Sequence, residues 1–457
     1  MIELKGQKVL VVGLGKTGEA LVNFLLKQGA RVWVSEKKSA SELKINLKEF
    51  EKKGVRIETG GHQLQTFLEA DLIIPSPGVP PLPEIKTAQA KGKKIMAEIE
   101  LARDFIQGKI IGITGTNGKS TTTTLVHKIL RADQRPSHLA GNIGTPLIRY
   151  ALSSRPTDIY VTEISSFQLE YCEKFRCEIA VFLNFSANHL DWHGSLEAYW
   201  MAKSKLFLNL TENDVAILNR DDPRLSALSQ KIRAPLYFFS RQTQVVPGIY
   251  VKDGWLYLHL NQPKPLLPLK SIKLVGEHNL ENVMASLLVG YLLNVPLSIM
   301  RQTVSQFTGL EHRLEKVALW KGITFYNDSK ATTVDATIKA LNSLKPGIIL
   351  IMGGRDKGAD FSLLRPHLKN KVRQLILIGE AKEKIKQALD QIVPINEAST
   401  MREAVIMAVQ VAKRGESILL SPACTSFDMF HDFEHRGRVF KQEIRKLIRA
   451  QSISKKK

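Results

Sequence analysis

The sequence predicts an α/β protein of three domains. Three observations predict it. Apolar runs of strand length alternate with helix-like stretches along the whole chain, the pattern of helices layered on mostly parallel sheets. These runs fall into three blocks whose strands end in loops of Gly and small polar residues, where open α/β sheets bind ligands. The length of 457 residues exceeds one hydrophobic core and accommodates two to four. The expected division is 1–96, 97–307 and 308–457, with Rossmann-like outer domains and a central domain of phosphate-loop ATPase type.

The first block opens with a strand, Lys8 to Val12, followed by the turn Gly13 to Gly18 and an amphipathic helix to about Lys27. A second strand, Arg31 to Ser35, ends at Glu36, and a third, Asp71 to Ile74, runs into a Pro-rich stretch. Residues Pro75 to Pro83 are expected to be loop. The second block has strands at Lys109 to Thr114, Ile159 to Glu163, Ile179 to Phe185 and Val215 to Asn219. A helix from Lys119 to about Leu130 follows the first of these. Residues 235–275 read as short strands and turns, and the helix His278 to Leu293 closes the block. The third block carries strands at Ile348 to Met352, Gln374 to Ile378 and Ser417 to Ser421.

Composition narrows the class. Apolar residues make up 44% of the chain, which is ordinary for a globular protein. No apolar run reaches the length of a bilayer span, and no export signal is visible at the N-terminus. Cys172, Cys177 and Cys424 are the three cysteines; none forms a CxxC pair, so a reducing cytoplasm is expected. The net charge is +21. A solvated basic surface, helped by the tail Lys455 to Lys457, explains it, as does steering of anionic substrates into a cleft. Nucleic-acid binding ranks last, because no motif for it accompanies the charge.

The strongest local signal is Thr114-Gly-Thr-Asn-Gly-Lys-Ser-Thr121 between a strand and a helix. Glycines let backbone N–H groups approach phosphate, and the helix N-terminus adds partial positive charge. Lys119 can reach the β- and γ-phosphates and the Ser120 hydroxyl can ligate Mg²⁺. The position five before Gly118 is Ile113, so the loop is a shortened variant of GxxxxGK[ST]. The Gly13, Gly15, Gly18 pattern with Glu36 fits a dinucleotide site, a nucleoside diphosphate helped by Lys16, or a tight turn with no ligand. Glu163 at a strand end suits Mg²⁺ and equally suits solvent. Asn184 to His193 is rich in His and Asp, yet completes no zinc set. In the third block, Lys330 and Lys357 follow strands and are placed to bind a carboxylate, against the alternative of surface lysines. Cys424 reads as a buried small residue rather than a nucleophile.

Taken together, these motifs resemble the Mur ligase family of peptidoglycan synthesis. The resemblance rests on GTNGKST, Glu163-Ile-Ser-Ser-Phe-Gln-Leu-Glu170, Asn184 to Asp191, Gly276-Glu-His-Asn279 with Asn282, and Glu311-His-Arg313. It covers essentially the whole chain. Asn327 to Thr332, Gly353 to Lys357 and Ser421-Pro-Ala-Cys424 resemble the branch that adds D-glutamate. The DNPR motif of the diamino-acid-adding branch is absent.

Carried over residue by residue, the resemblance implies a UDP-substrate site from Leu14, Lys16, Thr17, Glu36, Ser76 and Gly78. Asn142 with Ser165 or Ser166 would line the muramoyl-alanine part. Gly115, Thr116, Asn117, Gly118, Lys119, Ser120 and Thr121 would hold ATP phosphates, and Asn282, Arg313 and Asp328 its nucleoside. Ser120 and Glu163 would hold one Mg²⁺; His189 and a carbamylated lysine would hold a second. The modified lysine is expected to be Lys203, although Lys205 lies two residues on. Lys330, Thr332, Lys357, Ser426, Phe427 and Phe433 would surround D-glutamate. Thr333 stands where the family often has Asn, and Arg355-Asp356 is a variable pair.

The reaction so implied joins D-glutamate to UDP-N-acetylmuramoyl-L-alanine at the expense of ATP, with Lys119, Glu163, His189 and Lys203 as its catalytic set. A cytoplasmic monomer with no membrane contact is expected. The competing readings are a ligase of the same kind with another acceptor, such as a folylpolyglutamate synthase, and an NAD-dependent oxidoreductase built on the N-terminal glycines.

Overall fold

The computed structural model describes residues 2–454 except 44 and 275. The side chains of Asp191 and of residues 451–454, and the tail lysines 455–457, lie outside the described residues. Two compact units divide the chain: Met1–Ile272 with His278–Gln306, and Lys273–Glu277 with Phe307–Lys457.

The first unit carries two sheets. The N-terminal sheet holds β1 (Lys8–Val12), β2 (Arg31–Glu36), β3 (Arg56–Thr59), β4 (Leu72–Pro75) and β5 (Lys94–Ile95). Its order is β3-β2-β1-β4-β5, all parallel. Central β1 is buried from Val9 to Val12, as expected where both faces of a parallel strand are covered. The order reverses at β1, so its end faces the ends of β2 and β4, the switch point where such sheets bind ligands.

The second sheet has nine strands. They are β6 (Lys109–Thr114), β7 (Ser137–Gly141), β8 (Ile159–Glu163), β9 (Ile179–Phe182), β10 (Val215–Asn219), β11 (Leu236–Ser240), β12 (Gly248–Lys252), β13 (Trp255–His259) and β14 (Pro263–Pro268). The order is β14-β13-β12-β11-β10-β9-β6-β8-β7. Strands β6 to β12 pair with one another in parallel, while β13 pairs antiparallel with both β12 and β14.

The second unit is a six-stranded sheet of β15 (Glu315–Trp320), β16 (Ile323–Asn327), β17 (Ile348–Gly353), β18 (Val372–Ile378), β19 (Ile395–Glu397) and β20 (Ser417–Leu420). The order is β15-β16-β20-β17-β18-β19, and only the edge strand β15 is antiparallel. Every residue of β17 is buried; β15 alternates with exposed Lys316 and Leu319, an edge blunted by charge. A long helix, Phe433–Ser454, packs Phe440 and Ile444 onto one face.

Several boundaries differ from expectation, most by one or two residues, and three of them reshape loops. Pro75 ends β4, and Pro83 starts the helix Pro83–Ala90 at its first position, where its missing N–H costs nothing. The loop is therefore 76–82. Strand β9 stops at Phe182; Leu183 N still donates to Thr114 O at the end of β6, and Asn184 O then accepts from Thr116 N in the phosphate loop. Strands β3, β5, β7 and β19 carried too few apolar residues to be separated from loops by periodicity, and the sequence of β15, EKVALW, lacks the polar–apolar alternation that marks a strand.

Candidate active site

The sheet order assembles the central site. β6 lies between β8 and β9, so the loop leaving β6 is flanked by Glu163 at the end of β8 and Asn184 just beyond β9. Gly118 caps the helix Lys119–Ala132 in the left-handed conformation, φ +83°. A Cβ there would sit 2.1 Å from the Asn282 Oδ1, so only glycine fits. Asn184 locks the loop from one side: its Oδ1 accepts from Asn117 N at 2.9 Å and its Nδ2 donates to Asn117 O at 3.3 Å. Lys119 Nζ donates to Gly115 O at 2.7 Å and Thr116 O at 2.9 Å, lying across the loop it follows. Asn282 is buried, accepts from Thr122 Oγ1 at 3.3 Å and is thereby brought to the loop from a helix 160 residues away in sequence.

Glu163 is 3% exposed. Its Oε1 accepts from Asn142 Nδ2 at 2.7 Å, and its buried Oε2 has no hydrogen-bond partner. A buried carboxylate oxygen left unpaired costs free energy. Lys203 is 1% exposed and donates to Gly115 O at 2.9 Å, with the Tyr199 ring 5.0 Å from its nitrogen. Burial, reinforced by the nearby Lys119 cation and opposed by Glu163, holds its amine well below the ordinary lysine range. Lys205 points elsewhere and donates to Glu170 O at 2.5 Å. His189 is exposed, with its ring edge-on to Phe167 at 4.8 Å between centroids. Among the described residues no three His, Cys, Asp or Glu side chains gather as a metal set. Ser165 spends its hydroxyl capping the helix Ser166–Glu170, and Ser166 Oγ pairs with His193 Nε2 at 2.9 Å. A cavity of ≈ 480 Å³ adjoins the loop, lined in part by Asn184, Asp221, Arg224, Arg241 and Glu281.

At the N-terminal switch point, both Glu36 oxygens are engaged: Oε2 accepts from Leu14 N at 2.6 Å and Oε1 from Lys38 N at 3.0 Å. Ser76 Oγ donates to Gly13 O at 2.8 Å. Leu14, Glu36 and Ser76 therefore come together, with Thr17 half-buried beside them and Gly78 exposed. Lys16 Nζ reaches Gly144 O at 2.5 Å, tying this loop to the central sheet.

In the second unit, β16, β20 and β17 are adjacent, so the loops after Asn327, Leu420 and Gly353 converge. Asp328 is buried and accepts from Leu314 N at 3.0 Å and Ser421 Oγ at 2.9 Å; burial pushes its pKa up to about 7. Lys330 Nζ sits 5.1 Å from the Phe433 ring centroid. Thr332 is half-buried, Ser426 is 2% exposed, and Phe427 and Lys357 are exposed. Arg313 precedes Leu314 on the same loop. Cys424 is buried and its thiol is pushed up to about 12 by desolvation, as its reading as a packing residue requires. Sequence reasoning assigned no role to Asn184, Tyr199 or Arg436. Only Asn184 carried a signal, as an amide at the end of an apolar run; the other two are placed by helix packing.

The loop, its strand and its helix define an α/β protein of the phosphate-loop class. Three family models match in succession: "Mur ligase MurD-like, N-terminal domain" at 7–97, "Mur ligase middle domain" at 113–290 and "Mur ligase, glutamate ligase domain" at 312–424. The UDP-N-acetylmuramoylalanine--D-glutamate ligase of Koribacter versatilis is 44% identical over 98% of this chain and 99% of its own. That of Acidobacterium capsulatum is 45% identical over 97% of each. Among solved structures, the UDP-N-acetylmuramate-alanine ligase of Thermotoga maritima aligns with TM-score 0.58 at 18% identity, over 96% of this chain and 99% of that one. The MurF ligase of the same organism, solved with ADP, aligns with TM-score 0.58 at 16% identity, over 97% and 96%. The chain belongs to the Mur ligase family.

Proposed function

We propose that the protein is an ATP-dependent amide ligase that adds D-glutamate to UDP-N-acetylmuramoyl-L-alanine in peptidoglycan precursor synthesis. The single observation that carries this reading is the phosphate loop between Glu163 and Asn184, joined in one chain to a sheet whose loops present Lys330 and Lys357. A carboxylate is a poor electrophile, so the γ-phosphoryl of ATP passes to the alanyl carboxylate and creates an acyl phosphate. The amine of D-glutamate attacks that carbonyl, a tetrahedral intermediate forms, and phosphate leaves.

The residues divide these tasks. Loop N–H groups from Gly115 to Thr121 and the Lys119 ammonium offset phosphate charge as it moves. Asn282, Arg313 and Asp328 would meet the nucleoside. Leu14, Lys16, Thr17, Glu36, Ser76 and Gly78 would hold the uridine diphosphate, and Asn142 the muramoyl-alanine. Lys330, Thr332, Lys357, Ser426, Phe427 and Phe433 would hold D-glutamate. The unpaired buried oxygen of Glu163 fits a hard cation, so Ser120 and Glu163 would hold one Mg²⁺. His189 and a carbamate on Lys203 would hold a second. Magnesium held there would supply positive charge against ATP and the attacking carboxylate. Lys203 carries the carbamate in this reading because only an unprotonated amine adds CO₂ and burial favours the uncharged form of this amine. A cytoplasmic enzyme, active as a monomer, completes the reading; no described helix is long and apolar enough to cross a membrane.

The test is phosphate release from ATP with UDP-N-acetylmuramoyl-L-alanine, comparing D-glutamate, L-glutamate and L-alanine. Release that depends on D-glutamate is expected; release with another acceptor alone would refute the assignment.

A further inference from the structure

Arg436 is among the largest fully buried side chains of the described residues. It stands in the first turn of the helix Phe433–Ser454, and its fork holds two strand-end loops at once. Nε donates to Ser329 Oγ at 3.0 Å and Nη2 to Ser329 O at 2.8 Å, on the loop after β16. Nη1 donates to Cys424 O at 3.1 Å, on the loop after β20. The third loop, after β17, closes against the same group: a Cβ on Gly354, φ +133°, would lie 3.2 Å from Nη1 and 2.2 Å from Thr425 O. Ser329 Oγ passes the connection on by donating to Phe433 O at 2.8 Å. All three acceptors of the guanidinium are neutral oxygens, and burial lowers its pKa to about 10, so it stays charged at neutral pH.

A buried cation is costly to hold. A methionine or leucine would fill such a space without that cost. What a hydrocarbon cannot do is bond to the Ser329 and Cys424 carbonyls together. Those carbonyls lie next to the groups assigned to the amino acid: Lys330 adjoins Ser329, Ser426 follows Cys424 by two residues, and Lys357 follows Gly354 by three. We propose that Arg436 is a positioning residue that sets the spacing of the three amino-acid-binding loops, acting through Ser329, Cys424 and Gly354 without touching the substrate. This rests on the reading of those loops as the D-glutamate site.

The test uses the full-length enzyme in the phosphate-release assay with D-glutamate varied. Arg436→Lys keeps the charge and loses the fork, so the KM for D-glutamate rises by about tenfold or more, while kcat and the KM for ATP move less than about threefold. Arg436→Ala behaves likewise, and added ethylguanidinium lowers its KM back toward wild type. A KM for D-glutamate within about twofold of wild type in Arg436→Lys overturns the proposal, as does a loss of kcat with KM unchanged. If neither variant folds, Ser329→Ala decides by the same split, since it removes one acceptor of the fork, with its bond to Phe433 O, and leaves Arg436 and the helix sequence unchanged. Lys357→Ala separates the two levels. A raised KM there with Arg436→Lys unchanged rejects the clamp alone; wild-type turnover with no dependence on D-glutamate rejects the site reading and the clamp with it.

Discussion

The substitution Gly118→Ala probes the phosphate loop most directly. The added methyl meets two separate penalties. Gly118 sits at φ +83°, and a left-handed backbone costs an alanine roughly 1–2 kcal/mol. Its Cβ would also lie 2.1 Å from Asn282 Oδ1 and 2.9 Å from its Cγ, and such overpacking costs roughly 1–3 kcal/mol more. The loop must move by this much to admit the methyl, so ADP affinity is expected to fall about thirty-fold or more. Asn282→Ala removes the colliding amide and leaves only the backbone penalty. Its own loss is roughly 1–3 kcal/mol, from the hydrogen bonds it makes with Thr122 and Asn279 and any it makes with nucleotide. The double variant is therefore less damaged than the two singles combined, by roughly 1–3 kcal/mol. Calorimetric titration with ADP and Mg²⁺ on all four proteins gives the cycle. Unchanged affinity in Gly118→Ala, or additivity within about 0.5 kcal/mol across the cycle, would refute the reasoning.

Two further predictions follow from buried ionisable groups. Stripping CO₂ and bicarbonate from the buffer should lower turnover and restoring bicarbonate should recover it; Lys203→Met should be inactive with or without bicarbonate, while Lys205→Met keeps the wild-type response. The reverse assignment would be shown by Lys205→Met losing it. Glu98 is 2% exposed, and desolvation, opposed by the Ile148 N–H at 2.7 Å, raises its pKa from 4.5 to about 7. An acid with a raised folded-state pKa destabilises the fold as pH climbs from 4.5 to 7, because the unfolded chain releases its proton first. The penalty reaches about 3 kcal/mol above pH 7 and vanishes below pH 4.5. Glu98→Gln keeps the acceptor and removes the charge, so its Tm should exceed wild type by a margin that widens from pH 5 to pH 8. A margin independent of pH contradicts the buried charge.

The amino-acid sequence determined the class of this protein, because its strongest signals are local. Backbone N–H groups that bind phosphate must come from consecutive residues, so GTNGKST between a strand and a helix is legible without a structure. The alternation of apolar runs did the same for the α/β layers, and the cluster of short motifs along the chain for the family. Tertiary structure decided everything that depends on strand order. Glu163 and Asn184 flank the loop only because β8 and β9 flank β6, and neither residue announces that in its own neighbourhood. The contrast in burial between Lys203 and Lys205 is of the same kind. Two lysines two residues apart are equivalent on paper; the helix turn sends one amine into the interior beside Gly115 and the other to the Glu170 carbonyl. Arg436 shows the limit most plainly. An arginine amid a basic helix reads as surface charge, and only the packing of that helix against three strand ends buries it. Periodicity records which face of an element turns inward, but desolvation depends on what the rest of the chain lays over that face.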